Sequence, residues 1–257
     1  LNSVAATTVT ATVAPTTAAN LAAITVRSGR TNNFTLTTTD TSASASALSA
    51  VKSSSSLAPV YTSVGSITSS SVADIISLYT PVTEAGVSTN ATLGNELIAL
   101  SGATVAAIDL NTIDGYTTGA VTTVATTITG TAAAVETALD SAGLIGTATD
   151  TTTTVDITIT DTTVPAEALN DVNDSTTGTV TVNSSAISGT NAEVLAALQA
   201  NAATPANGNT ISGMDAINVT LVDGNNTFSV DQVNAIDALT TGIITATVTP
   251  TETATEL

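Results

Sequence analysis

Leu169-Asn170-Asp171-Val172-Asn173-Asp174-Ser175-Thr176-Thr177-Gly178 decides the fold, because the chain repeats it. An earlier copy runs Leu110-Asn111-Thr112-Ile113-Asp114-Gly115-Tyr116-Thr117-Thr118-Gly119, and a later one Val233-Asn234-Ala235-Ile236-Asp237-Ala238-Leu239-Thr240-Thr241-Gly242. Their glycines stand 59 and 64 residues apart. A decayed copy runs from Leu48 through Val51 into Ser53. A second motif interleaves with the first. It leads from Ile67-Thr68-Ser69 to Leu78, from Ile128-Thr129-Gly130 to Leu139 and from Ile187-Ser188-Gly189 to Leu198, always 11 residues from Ile to Leu. Internal periods of about 20 to 50 residues mark stacked repeats, and each unit of about 60 residues here has two halves of about 30.

Each half reads as a strand followed by a short helix. Val155-Asp156-Ile157-Thr158-Ile159-Thr160 and Thr179-Val180-Thr181-Val182 alternate apolar and polar residues with β-branching throughout, the period of a half-buried strand. Thr190-Asn191-Ala192-Glu193 and Ser229-Val230-Asp231-Gln232 are capping-box sequences opening helices. Pro165 suits the first turn of the helix carrying Leu169 and Val172. Thr-Thr-Gly reads as the helix stop and the turn into the next strand.

The predicted fold is therefore a β-rich α/β repeat protein, a solenoid of about 30-residue strand–short-helix units. Tandem small β-sandwiches are the alternative, since Thr-rich strands at short spacing suit those as well. Residues 1–100 read as divergent repeats, with Ser53–Ser56 and Tyr79–Asn95 as loop insertions; 101–163 and 164–226 read as repeats, and 227–257 as a partial repeat continuing into a neighbour. Val9-Thr10-Ala11-Thr12-Val13-Ala14-Pro15-Thr16 is similar to Ile244-Thr245-Ala246-Thr247-Val248-Thr249-Pro250-Thr251, so both ends fall at nearly one phase of the repeat. The chain starts at Leu1 without a signal-peptide pattern, and a processed or excised piece is expected. The packing residues of this scheme are Leu110, Ile113, Ile128, Leu139, Leu169, Val172, Ile187, Leu198, Val233 and Ile236. Asn111, Asn170 and Asn234 recur at one repeat position, where a buried amide would bond the backbone of an adjacent turn.

Composition narrows the chemistry. About half of the 257 residues are Thr, Ala or Ser, aromatics are 2%, and Cys, His and Trp are absent. That removes disulfides, thiolate nucleophiles, His-based triads and sulfur-built zinc sites. Three cations against 21 acids give a net charge of −18, which excludes a phosphate-neutralising nucleic-acid surface. No run of about 18 apolar residues reads as a membrane span. The paired carboxylates Asp156/Asp161 and Asp171/Asp174 are the only acid–base candidates. A glycosidase would set such a pair across a cleft, usually beside aromatic platforms that this chain lacks. Asp40, Asp161 and Asp223 are weak candidate calcium ligands at strand ends, calcium being a cation that gathers oxygen ligands at turns. No other cofactor is expected.

The Leu-Asn-x-Ile-Asp-x-x-Thr-Thr-Gly and Ile-Thr-Gly-Thr-x-Ala-x-Val-x-x-Ala-Leu segments resemble repeats of the giant Thr/Ala-rich cell-surface and adhesin-type proteins of marine bacteria, cyanobacteria notably. The resemblance covers residues 105–257 well and implies a non-enzymatic stalk, sheath or fibre, extracellular or on the cell surface. It carries over no catalytic residues. Its expected partner is a second copy of itself, end to end. The alternative is a calcium-dependent adhesin segment that binds glycan or ice; Thr-x-Thr patterns such as Thr10-Ala11-Thr12 resemble ice-binding hydroxyl arrays.

Overall fold

The computed structural model describes residues 7–25, 28–80, 92–141, 155–201, 210–222 and 228–247. The chain opens with β1 (Thr7–Thr12), α1 (Ala18–Ala22), β2 (Arg30–Thr35), β3 (Ser42–Ser44), α2 (Ala45–Ser53), β4 (Ser66–Ser70), α3 (Val72–Tyr79) and β5 (Leu97–Leu100). There follow β6 (Thr104–Ala106), α4 (Ala107–Asp114), β7 (Val121–Thr123), β8 (Thr127–Gly130), α5 (Ala132–Asp140), β9 (Asp156–Ile159), β10 (Thr163–Pro165) and α6 (Ala166–Asp174). The rest is β11 (Thr179–Val182), β12 (Ala186–Gly189), α7 (Asn191–Ala200), β13 (Thr210–Ser212), β14 (Asn218–Leu221), α8 (Val230–Asp237) and β15 (Ile244–Thr245). This is an α/β protein whose strands pair in parallel. Parallel sheets need crossovers, and here each crossover carries a helix. Among the described residues all strand pairs are parallel, unlike the antiparallel sheets of the sandwich alternative.

Two compact units divide the described residues. The first takes those up to Gly102 together with Thr112–Val124; the second takes Ala103–Asn111 and those from Ala125 onward. In the first unit β1 pairs with β2, and β3-β4-β5-β7 form a four-stranded sheet. In the second, a five-stranded sheet runs β13-β11-β9-β8-β6 and a four-stranded one β10-β12-β14-β15.

The registers carry the sequence period. Thr104 pairs with Thr127 and Val180 with Ile157, offsets of 23 residues, while Thr127 pairs with Asp156 at an offset of 29. Each sheet thereby stacks aliphatic side chains in a column. Val105, Ile128, Ile157, Val180 and Ile211 are consecutive partners, all buried. Val164, Ile187 and Val219 form a second buried column. Burying one such side chain is worth about 1.5–3 kcal/mol, so short strands hold through these columns.

The helices have 5 to 10 residues, too short to persist alone. Polar caps and an apolar stripe hold them. Thr17, Ser44, Ser71, Thr131, Thr190 and Ser229 are N-caps whose hydroxyls accept a backbone N–H of the first turn. Both predicted capping boxes form, Thr190 with Glu193 and Ser229 with Gln232. Pro165 is the N-cap of α6 and thus lies one position before the helix. Among the described residues no helix is long and apolar enough to cross a membrane.

Two expectations need correction. From β5 to α7 the pattern is two strands per helix rather than one: β5 and β6 precede α4, β7 and β8 precede α5, β9 and β10 precede α6, and β11 and β12 precede α7. Leu110, Ile113, Ile128, Leu169, Val172, Ile187, Leu198 and Ile236 are buried, whereas Leu139 and Val233 are half-exposed. On α5 the apolar stripe runs through Val135 and Ala138, which turns Leu139 aside.

Leu169→Asp places a carboxylate at a site with 0% exposure and no paired cation, a mechanism of severe destabilisation. Loss of the cooperative melting transition is expected, measured by circular dichroism. Leu139→Asp should still melt cooperatively; a folded Leu169→Asp protein would overturn the packing scheme.

Candidate functional site

The repeated Thr-Thr-Gly builds the same device three times. Thr117, Thr176 and Thr240 are buried, and their hydroxyls donate to the carbonyls of Glu96, Val155 and Ile217 at 2.7, 2.7 and 2.9 Å. Each hydroxyl also accepts the N–H two residues on, from Gly119, Gly178 and Gly242, at 3.0, 3.0 and 3.1 Å. Each hydroxyl thus spends its one donor on a carbonyl and accepts an N–H as well. The device is a clasp: it ties the segment entering one strand to the segment entering its sheet neighbour.

The glycine is required by proximity. A Cβ on Gly178 would stand 2.3 Å from the Val155 carbonyl oxygen, and one on Gly119 or Gly242 would meet Glu96 or Ile217 as closely. None of the three has a positive φ. Thr-Thr-Gly is therefore the turn into the next strand, as expected from sequence, built as a strand-entry clasp, while the helix stop lies before it. α6 ends instead on Ser175 in a right-handed conformation.

The decayed copy keeps the hydroxyl and loses the glycine. Ser55 donates to the Phe34 carbonyl at 2.8 Å and accepts the N–H of Leu57 at 3.1 Å. The sequence reading stopped this copy at Ser53, two residues short.

The aspartates flagged as calcium candidates do structural work. A carboxylate oxygen of Asp161 accepts the N–H of Ala132, the first residue of α5, at 2.7 Å, and Asp40 accepts that of Ala18, the first residue of α1. A negative group at a helix N-terminus is favoured by the unpaired N–H groups and the dipole there. Ser70 takes the matching position on α2, accepting Ala45 N–H at 2.8 Å. Asp223 lies outside the described residues. Among the described residues no three Asp or Glu side chains gather as metal ligands.

The carboxylate pairs do not converge either. Asp156 accepts the N–H of Thr179, ahead in the chain, while Asp161 points back to Ala132. Asp171 and Asp174 are exposed on α6. Asn111 and Asn170 each donate to a carbonyl of a helix 23 residues ahead, Ala134 at 2.9 Å and Glu193 at 3.0 Å. These ties link α4 to α5 and α6 to α7, while Asn234 is exposed on α8.

One buried acid had no signal in sequence. Glu96 stands at the clasp position that Val155 and Ile217 fill elsewhere, with 0% exposure. Its carboxylate accepts the Gly94 N–H, at 2.8 Å to one oxygen, and the Tyr79 hydroxyl at 2.7 Å. Gly94 has φ +144, a conformation that L side chains avoid. Tyr79 stacks on Tyr116 with ring centroids 5.0 Å apart. Burial, then the Glu96 bond and charge, push the Tyr79 hydroxyl far above its ordinary pKa; burial does the same to Tyr61. Lys52, lowered by burial, donates to the carbonyls of Ser77 and Leu78 and so closes the C-terminus of α3.

No protein-family profile, curated protein or solved structure matches the chain.

Two predictions follow from this geometry. Thr176→Val leaves the Val155 carbonyl and the Gly178 N–H unpaired and should cost about 1–3 kcal/mol in urea denaturation. Thr176→Ser keeps both bonds and should cost less than half as much; equal losses would mean the hydroxyl is idle. For pH, the raised phenols are protonated in the folded chain while the unfolded chain ionises above pH 10.0. Stability is therefore fully present below that pH and falls as pH rises beyond it. Melting temperature against pH should drop in the wild type and drop less steeply in Tyr61→Phe and Tyr79→Phe.

Proposed function

We propose that this chain is a non-enzymatic structural repeat protein, extracellular or on the cell surface, that forms or belongs to a fibre, stalk or filament by end-to-end stacking. In this reading the parallel sheets are faces of a solenoid whose successive turns repeat the clasp. The observation that carries it is the recurrence of one strand-entry device at Thr117, Thr176 and Thr240. A device that ties each turn to the one before it suits a chain that grows by adding turns. The outermost strands, β15 among them, offer N–H and C=O groups along one edge, the natural template for another strand. A net charge of −18 would hold finished fibres apart laterally.

A specific observation favours the second reading, a surface-binding adhesin segment. On the five-stranded sheet, Thr129, Thr158, Thr181 and Ser212 are consecutive partners, and Thr104 and Thr127 begin a parallel column that passes through Asp156 before Thr179 and Thr210. One unbroken hydroxyl column beside a buried one gives a regular row of the kind that meets ice or a glycan lattice.

Negative-stain electron microscopy of the purified chain, with and without EDTA, separates the two. Uniform filaments in both conditions are expected. Discrete particles, or filaments lost on chelation, would replace the fibre subunit with a calcium-dependent adhesin segment.

A further inference from the structure

The proposed stacking leaves open what joins one copy to the next, and the inference drawn here rests on that fibre reading. Two observations point to the joint. The first is a sequence match with complementary edges. Val9-Thr10-Ala11-Thr12-Val13-Ala14-Pro15-Thr16 and Ile244-Thr245-Ala246-Thr247-Val248-Thr249-Pro250-Thr251 share six of eight residues. β1 uses the edge that faces later strands: Thr10 pairs with Asn33 of β2, and Val13 donates onward to the Thr35 carbonyl. β15 uses the opposite edge: Ile244 pairs with Val219 of β14, an earlier strand. The edge β15 leaves over is the one by which β1 binds β2. The segment from Ile244 therefore has the sequence that β2 accepts, and its strand β15 presents the edge that β2 needs.

The second observation is charge. Residues 1–52 hold all three cations, Arg27, Arg30 and Lys52, against the single acid Asp40. Residues 53–257 hold 20 acids and no cation, and Glu252 and Glu256 follow directly on the matching segment. Residues 1–52 and the acidic remainder attract each other, and two acidic segments repel.

We infer that copies of this chain join by strand exchange: the segment from Ile244 of one copy replaces β1 on β2 of the next. Val219, Ile244 and Asn32 then fall in one parallel sheet that crosses from copy to copy. The displaced β1 contacts are replaced by nearly identical ones, so the exchange costs little in strand pairing, and charge sets its polarity.

The chain has no Cys, so engineered pairs report cleanly. Directly paired strand residues lie within disulfide reach. Asn33→Cys with Thr245→Cys, oxidised during assembly, should give a reducible ladder of covalent multimers on denaturing gels. Thr10→Cys with Asn33→Cys locks β1 in place; oxidised before assembly it should give no filaments, and after reduction it should assemble. Filaments from locked chains, with no ladder from the first pair, would overturn strand exchange and leave the fibre reading standing. A first pair that closes only within single chains would overturn it as well. An unaltered chain that forms neither filaments nor cross-linked multimers would overturn both.

Discussion

The structure depends on a buried hydroxyl at the entrance of a strand. Thr176 joins the Val155 carbonyl to the Gly178 N–H, and Thr117 and Thr240 repeat the arrangement. The need for it follows from composition. With 2% aromatics the core is columns of Val, Ile and Leu, and one aliphatic is much like the next in shape. A parallel strand that slips by one residue turns its buried column outward, and columns so uniform resist a slip by two only weakly. A hydroxyl that must find one particular carbonyl and one particular N–H admits a single register. The columns supply cohesion and the clasp supplies position.

The remaining polar ties serve the same end. Asp161 and Asp40 accept the first amide of a helix, Asn111 and Asn170 reach a carbonyl of the next helix, and Lys52 closes the end of α3. Each spans more than 20 residues and so joins one crossover to another. In a chain with 9% charged residues, stacking is specified by backbone amides and carbonyls met by small side chains. Three chain segments meet at Glu96: its carbonyl takes the Thr117 bond while its carboxylate takes Tyr79 and Gly94.

What could be read in advance was whatever repeats. The spacing of Leu110, Leu169 and Val233 located the helices, and alternation at Val155–Thr160 and Thr179–Val182 located strands. The three-residue strands β6 and β10 were invisible, because three residues cannot display a period of two. Asp40 and Asp161 read as turn acids, since the amides they meet lie 22 and 29 residues away in the chain. Thr-Thr-Gly is legible as the turn into the next strand, but its clasp is not, because a glycine demanded by a neighbouring carbonyl looks the same in sequence as any turn glycine. Glu96 gave no sign; only superposing its position on Val155 and Ile217 reveals an acid in an apolar series.

The decayed copy separates the two parts of the motif. Ser55 keeps both hydrogen bonds while Leu57 occupies the glycine position. Close approach is thus the dispensable part and the hydroxyl is the retained one. In this copy the hydroxyl keeps its carbonyl and its N–H although the glycine is gone. The strand match between Val9–Thr16 and Ile244–Thr251 belongs to the same logic. Where recognition rests on backbone edges and small side chains, phase decides the partner, which is what the proposed exchange between copies requires.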